Sequence, residues 1–361
     1  MLRKIDRYIL GKFLGTYALT MALILAIAVV IDISEKIDDF INQGAPIQEI
    51  ILDYYLNFLV FYGNLFNAMI VFLATIFFTS RMTNNSEIVA ILTGGVSFRR
   101  LLWPYFVGAL LVAGLNFYLS HYVIPTTNQD RLAFEMAYFN SRNEGERFKN
   151  IHRQIFPNHF IYLENYNERR MTGYHFSYEV MEDSELRMKL MADYIRRDTG
   201  SGTWKLDNYY IRRIDSTGQE HLQQGRRLDT NFRFKPEEIV PRLHTVEMMP
   251  TPKLNRFIAK EKIRGSENIN RYLLEKHGRT STPISTFILV LIGVSLSSQK
   301  TRGGLGLNLA VGLLLCVSYV FFMKVTVSFA TVGSMAPLLA VHVPNLVFLV
   351  LGLWLYWRAP K

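Results

Sequence analysis

The chain has one cysteine, Cys316, in an apolar run, so no disulfide can form within it and any part facing an oxidising compartment must fold on packing alone. Catalytic motifs are equally scarce. No G-x-x-x-x-G-K-[ST] occurs, which excludes ATP binding in the P-loop manner. H-E-x-x-H, C-x-x-C and G-x-S-x-G are missing too, and with them the zinc-protease, dithiol and α/β-hydrolase chemistries those spacings carry. His152, His159, His175, His221 and His244 stand at spacings that fit no metal site, so scattered imidazoles are expected and no metal or cofactor is implied.

Charge is what the two ends lack. Leu, Ile, Val, Phe and Ala dominate residues 1–122 and 281–361, whereas 123–280 hold most of the charge in alternating sign. The expected domains are therefore 1–122 with three spans, a soluble insert over 123–280, and 281–361 with three more spans. The basic start, with Arg3, Lys4, Arg7 and Lys12, is not read as a cleaved signal, because the following apolar run is too long and no small-residue site ends it.

A helix needs about 20 mostly apolar residues to cross a bilayer. Six segments qualify: Phe13–Ile33, Tyr55–Ser80, Leu101–Val123, Thr282–Ser298, Leu305–Val332 and Pro337–Trp357. The short loops set their direction. One membrane side collects Arg3, Lys4, Arg7, Lys12, Arg81, Arg99, Arg100, Lys300, Arg302, Arg358 and Lys361 against Asp6 and Glu87, a net of +9. The loop between spans one and two holds Asp32, Glu35, Asp38, Asp39, Glu49 and Asp53 against Lys36 alone, a net of −5. Basic residues are retained in the cytoplasm, so both termini are expected inside and the insert outside. The formal charge of +10 is mainly this topology and calls for no nucleic-acid partner.

Within the insert, Phe160–Leu163 and Trp204–Ile211 alternate in the period of a half-buried strand, with turns expected at Asn165–Asn167, Asp198–Gly202 and Ser216–Gly218. These predict an antiparallel β sandwich or open barrel. After Pro252 the spacing of Leu254, Phe257, Ile258 and then Ile269, Tyr272, Leu273 and Leu274 turns helical. His277 and Arg279, just before Pro283, make a basic approach to the membrane that either meets anionic headgroups or is solvated.

Two features carry functional weight. Lys324 lies within span five, where an ammonium is costly unless it has a role or snorkels to the interface. After span two, Ser86, Glu87, Ile88, Ile91, Leu92, Gly94 and Gly95 outline a helix near 86–95. Asn85 or Ser86 can cap it, Glu87 suits its first turn, and the glycines end it. So short a helix must dock, either on its own bundle or on a cytoplasmic partner.

Ile5-Asp6-Arg7-Tyr8-Ile9 before span one, Ser86-Glu87-Ile88 through Gly94-Gly95, the β insert, Pro283 opening span four and Pro344-Asn345 in span six occur in an order that resembles the LptF/LptG family of lipopolysaccharide-export permeases, end to end. The first motif leans toward the LptG branch. The resemblance implies six transmembrane helices with an inserted periplasmic β-jellyroll. It implies a second LptF/LptG-type permease as partner, and a dimeric LptB-like ATPase docked at the Glu87 helix. It also implies a periplasmic jellyroll bridge, LptC/LptA-like, that receives lipopolysaccharide from the inner membrane of a Gram-negative cell for outer-membrane biogenesis. Some relatives carry lysines at the outer end of span one that meet the lipid's phosphates; here that end is acidic, and Lys36 is the nearby candidate for substrate contact, with Lys324 the second. The residues alone also leave open a non-transporting ABC-type membrane subunit that transmits ATPase motion to an outer domain, and a membrane enzyme.

Overall fold

The computed structural model describes residues 4–139, 147–167, 170–182, 185–198, 200, 202–215, 217–232, 234, 236–239, 246–266, 268–299 and 304–359. Arg3, Lys300, Arg302, Lys361, His244 and Ser216 lie outside the described residues. Two compact units emerge: Met1–Phe139 with Val246–Leu254 and Asn270–Lys361, and Asn140–Thr245 with Asn255–Ile269.

The first unit is helical and apolar, and its spans are longer than hydropathy alone indicates. α1 (Lys4–Asn42) runs 39 residues, about 58 Å at 1.5 Å per residue, well beyond a hydrocarbon core. The second span is broken: α2 (Ile47–Glu49), a π-helical turn and α3 (Leu56–Leu65) meet α4 (Asn67–Asn84) at a bend of 64°. Asparagines gather at the break. Asn116 Nδ2 donates to Asn64 Oδ1 (2.6 Å) and to the Asn64 carbonyl (3.3 Å), Asn64 Nδ2 donates to Ser120 (2.9 Å), and the Tyr17 hydroxyl donates to Asn67 (2.6 Å). Backbone interrupted at membrane depth needs such partners, because lipid offers none.

A short α5 (Glu87–Thr93) leads to α6 (Phe98–Tyr118), which continues through a π-helical turn into α7 (Ile124–Tyr138). The last three spans are α10 (Ile269–Ser297), α11 (Gly304–Thr331) and α12 (Pro337–Arg358). Counting the bent pair as one, six helical segments among the described residues are long and apolar enough to cross a membrane. Small residues let them approach. A Cβ on Gly108 would stand 2.6 Å from the Phe13 ring, on Gly293 2.9 Å from Thr75, and on Gly312 2.2 Å from Ile76. Asn345 supplies a polar tie between three spans: it accepts from Tyr319 (2.8 Å) and donates to Ser281 (2.8 Å), whose hydroxyl donates to the Val341 carbonyl (2.6 Å).

Pro283 does not open a helix; it sits inside α10, which starts fourteen residues earlier. Nor is Arg279 solvated or at a headgroup. Its side chain is only 5% exposed, and it holds the 246–251 segment through the carbonyls of Val246 (3.0 Å) and Met249 (2.8 Å) and the Thr251 hydroxyl (3.3 Å), with Glu275 as counter-ion (2.9 Å). A guanidinium, with five donors in a plane, can bind several carbonyls at once.

The second unit is a single antiparallel sheet of β1 (Arg147–Phe156), β2 (His159–Asn167), β3 (Thr172–Glu182), β4 (Glu185–Arg197), β5 (Trp204–Ile214) and β6 (Glu220–Thr230), in chain order. Asn165–Asn167 is not a turn: those residues belong to β2 and pair with Tyr174, Gly173 and Thr172. Their polarity has another cause. One row, Asn150, Glu164, His175, Asp193, Asn208 and Arg226, drops out of the ladder on every strand while the register on either side is kept. Asn150, His175 and Asn208, on alternate strands, have φ of 52°, 50° and 52°. Asn and His tolerate that conformation better than most residues. His175 meets Glu164 at 2.8 Å and Asn208 donates to Asp193 at 2.9 Å, bracing the crease.

The row resets the alternation. Core-facing residues step by three across it: Leu163 to Tyr166, Gly173 to Phe176, Ala192 to Ile195, Leu206 to Tyr209. With Trp204, Ile211 and Phe234 they form one apolar core. α8 (Pro236–Ile239) adds Ile239 to that core, and α9 (Thr251–Ile263) brings Glu261, wholly buried, to Arg153 (2.8 Å) and Arg264 (3.1 Å).

Candidate functional site

Three motifs far apart in sequence converge beside α5. Ser86 occupies the N-cap in the left-handed region (φ 61°), with no side-chain cap hydrogen bond. The Glu87 carboxylate instead accepts from the Tyr8 hydroxyl (3.1 Å) and from Asn85 Nδ2 (3.2 Å). Asp6 pairs with Arg100 at 2.5 Å, so α1, α5 and α6 are pinned together at this end of the bundle. Ile88 is fully buried, and Ile91 and Leu92 pack on the same core with Ile9, Phe98 and Leu101. The apolar stripe therefore seals α5 to its own bundle. Val89, Ala90 and Thr93 face outward, followed by exposed Gly94 and Gly95, the latter at φ 85°.

Lys36 is held internally. Its ammonium lies 2.8 Å from Asp32, donates to the Tyr54 hydroxyl, and rests over the rings of Tyr54 (4.8 Å) and Phe139 (4.9 Å). Asp32 also accepts from Tyr54 (3.0 Å) and Tyr55 (3.2 Å), and Phe40, Phe58 and Phe134 complete the aromatic surround. The side chain keeps about a quarter of its surface, 26%. Acidity at the end of span one thus includes a specific counter-ion, which pairwise reading of neighbouring charges did not isolate.

The sequence profile of the lipopolysaccharide export system permease family, LptF/LptG, matches residues 7–358. The chain belongs to the LptF/LptG family. It is a permease of lipopolysaccharide export, a membrane subunit of a transporter that works with partner proteins, and a multi-pass protein of the inner membrane. A search of curated proteins finds no match.

In this permease Lys324 is exposed on α11, on the same face as Val317, Val320 and Phe321. α1 has a comparable outward face in Leu19, Leu23, Ile27, Val30 and Ile31. The β unit adds a hollow of about 620 Å³ beside the crease, with Phe160, Tyr162, Met191 and Tyr210 among its lining. These side chains alternate with the core residues and so point away from the core. Sequence reading found α5 and the two lysines; it missed Tyr8 on Glu87, Asp6 on Arg100 and the crease, because each is a long-range pairing. Asn150, His175 and Asn208, of residue types that tolerate a positive φ, were the one local signal in the sequence for the crease, and alternation counts are blind to it.

Proposed function

We propose that this permease is one of two paired LptF/LptG-type subunits in an ATP-driven exporter of ABC type. A dimeric LptB-like ATPase docks on α5, and the complex draws lipopolysaccharide from the outer leaflet of the inner membrane of a Gram-negative cell. The β unit passes it to an LptC/LptA-like periplasmic bridge. The observation that carries this reading is α5 itself, in a chain without a P-loop: its apolar side is spent on the bundle, leaving Glu87, Val89, Ala90 and Thr93 for a partner. The outward apolar faces of α1 and α11 support a pair interface or lateral gate there, with Lys36 and Lys324 as the groups that meet an anionic headgroup. Among the described residues β1 and β6 are the edge strands of the sheet, which supports strand addition by the bridge, and the aromatic and methionine side chains in the hollow support acyl-chain passage.

The +9 against −5 asymmetry supports cytoplasmic termini. Cysteines replacing exposed Gln43 and Gln219 should therefore react with an impermeant thiol reagent on intact cells, and one replacing Asn85 only after permeabilisation; labelling of residue 85 in intact cells inverts the map. For the function, purification from native membranes followed by mass spectrometry should recover a second permease, an ATPase and lipopolysaccharide. A preparation holding bulk phospholipid and no ATPase would refute the exporter reading.

A further inference from the structure

The start of α6 has the chemistry of a phosphate site at the edge of an apolar face. A hollow of about 370 Å³ is lined by Ser97, Arg99, Arg100 and Trp103. Ser97 Oγ accepts the Arg100 N–H at 3.3 Å, which sets the first turn of the helix. Arg100 commits Nη2 to Asp6, while its Nη1 is buried without a hydrogen-bond partner. Asp6 thus offsets one of the two guanidinium charges, and Arg99 beside it is exposed. The hollow is left cationic.

What adjoins it decides the ligand class. Trp103 is 53% exposed, and the face it begins continues along the helix through exposed Leu110, Leu111, Phe117 and Tyr118. An indole next to arginines at the end of an apolar stripe is the pattern of a membrane–water boundary. An acidic protein surface would meet the arginines but leave the stripe uncovered.

We propose that Arg99 and Trp103, with the positive charge of Arg100 behind them, bind the headgroup phosphate of an anionic phospholipid, whose acyl chain lies along Leu110 and Leu111, in the leaflet nearest the start of α1. The exposed Arg99 fork matches phosphate oxygens in geometry and charge, and Arg100, a third exposed and held by Asp6, adds positive charge beside it. A zwitterionic lipid would bring its own ammonium against a site already positive, so net-negative lipids are selected. The site lies on a face of α6 that the export reading does not use, and it stands or falls separately from that reading.

Native mass spectrometry of the full-length protein released from nanodiscs of phosphatidylcholine with a minor share of phosphatidylglycerol tests it. The wild type should retain phosphatidylglycerol above its share of the bilayer. Arg99→Gln should lower that excess about fivefold, the effect of one basic residue at a membrane surface. Trp103→Ala should lower it too, with the Arg100–Asp6 pair untouched. Lys12→Gln, which removes an exposed charge on α1 outside the hollow, should leave it unchanged. Retention unaffected by Arg99→Gln and Trp103→Ala overturns the site, as does an equal loss with Lys12→Gln, which would mean unspecific surface attraction. Displacement of the lipid by millimolar inorganic phosphate would make it a free-phosphate site, and lost ATPase binding with unchanged lipid a protein contact; either result overturns the lipid assignment.

Discussion

Glu87→Arg should reduce ATPase copurification with the permease more than tenfold while leaving the thermal unfolding of the permease close to wild type. The carboxylate sits at the first turn of α5, where negative charge suits the helix terminus, and its partners are the exposed groups of Tyr8 and Asn85. Losing exposed contacts of this kind costs at most about 1 kcal/mol of stability. At an interface the same reversal places like charges together, which costs several kcal/mol. Glu87→Gln should fall between, since it keeps the acceptor for Tyr8 and removes only the charge. Undiminished copurification with Glu87→Arg would mean that α5 serves its own bundle alone.

The second large effect is structural. Arg279→Leu should destabilise the first unit by about 3–5 kcal/mol, because it removes the buried cation that satisfies the carbonyls of Val246 and Met249 and strands Glu275. The loss should appear as protease cleavage or rapid hydrogen exchange confined first to residues 246–251, ahead of global unfolding. Arg279→Lys should recover part of it, since an ammonium reaches fewer of these acceptors than a planar fork does. Wild-type protection of 246–251 in Arg279→Leu would show that the segment is held by something else.

Hydropathy was enough to read six spans, since a bilayer imposes length and composition directly, and strand-period alternation was enough to read an inserted β domain. The break at Phe66 was invisible to that reading, because Asn64 and Asn67 dilute an apolar run without ending it; only their pairing with Asn116 and Tyr17 identifies a bend. In the β unit, strict alternation predicted Trp204–Ile211 as a strand but mistook Asn165–Asn167 for a turn. Both results follow from the crease: a left-handed residue on every second strand shifts the core-facing set by one, so a polar triplet lies inside a strand. At α5 the stripe of Ile88, Ile91 and Leu92 was legible as a surface needing cover, yet sequence could not say that the bundle supplies the cover. Lys36 stood out for its charge, whereas its pairing with Asp32 depends on one helical turn and on Tyr54 from another helix.

In the proposed exporter, lipopolysaccharide passes along the outward faces of α1 and α11 under the control of ATP turnover. Photocrosslinking residues in place of Val30 and Phe321, both exposed and therefore tolerant of a bulky side chain, put a reporter on each face. With the assembled complex in native lipid, both positions should give lipopolysaccharide adducts that decline when ATP is hydrolysed. Adducts of bulk phospholipid at both positions, unchanged by ATP, would contradict passage along these faces.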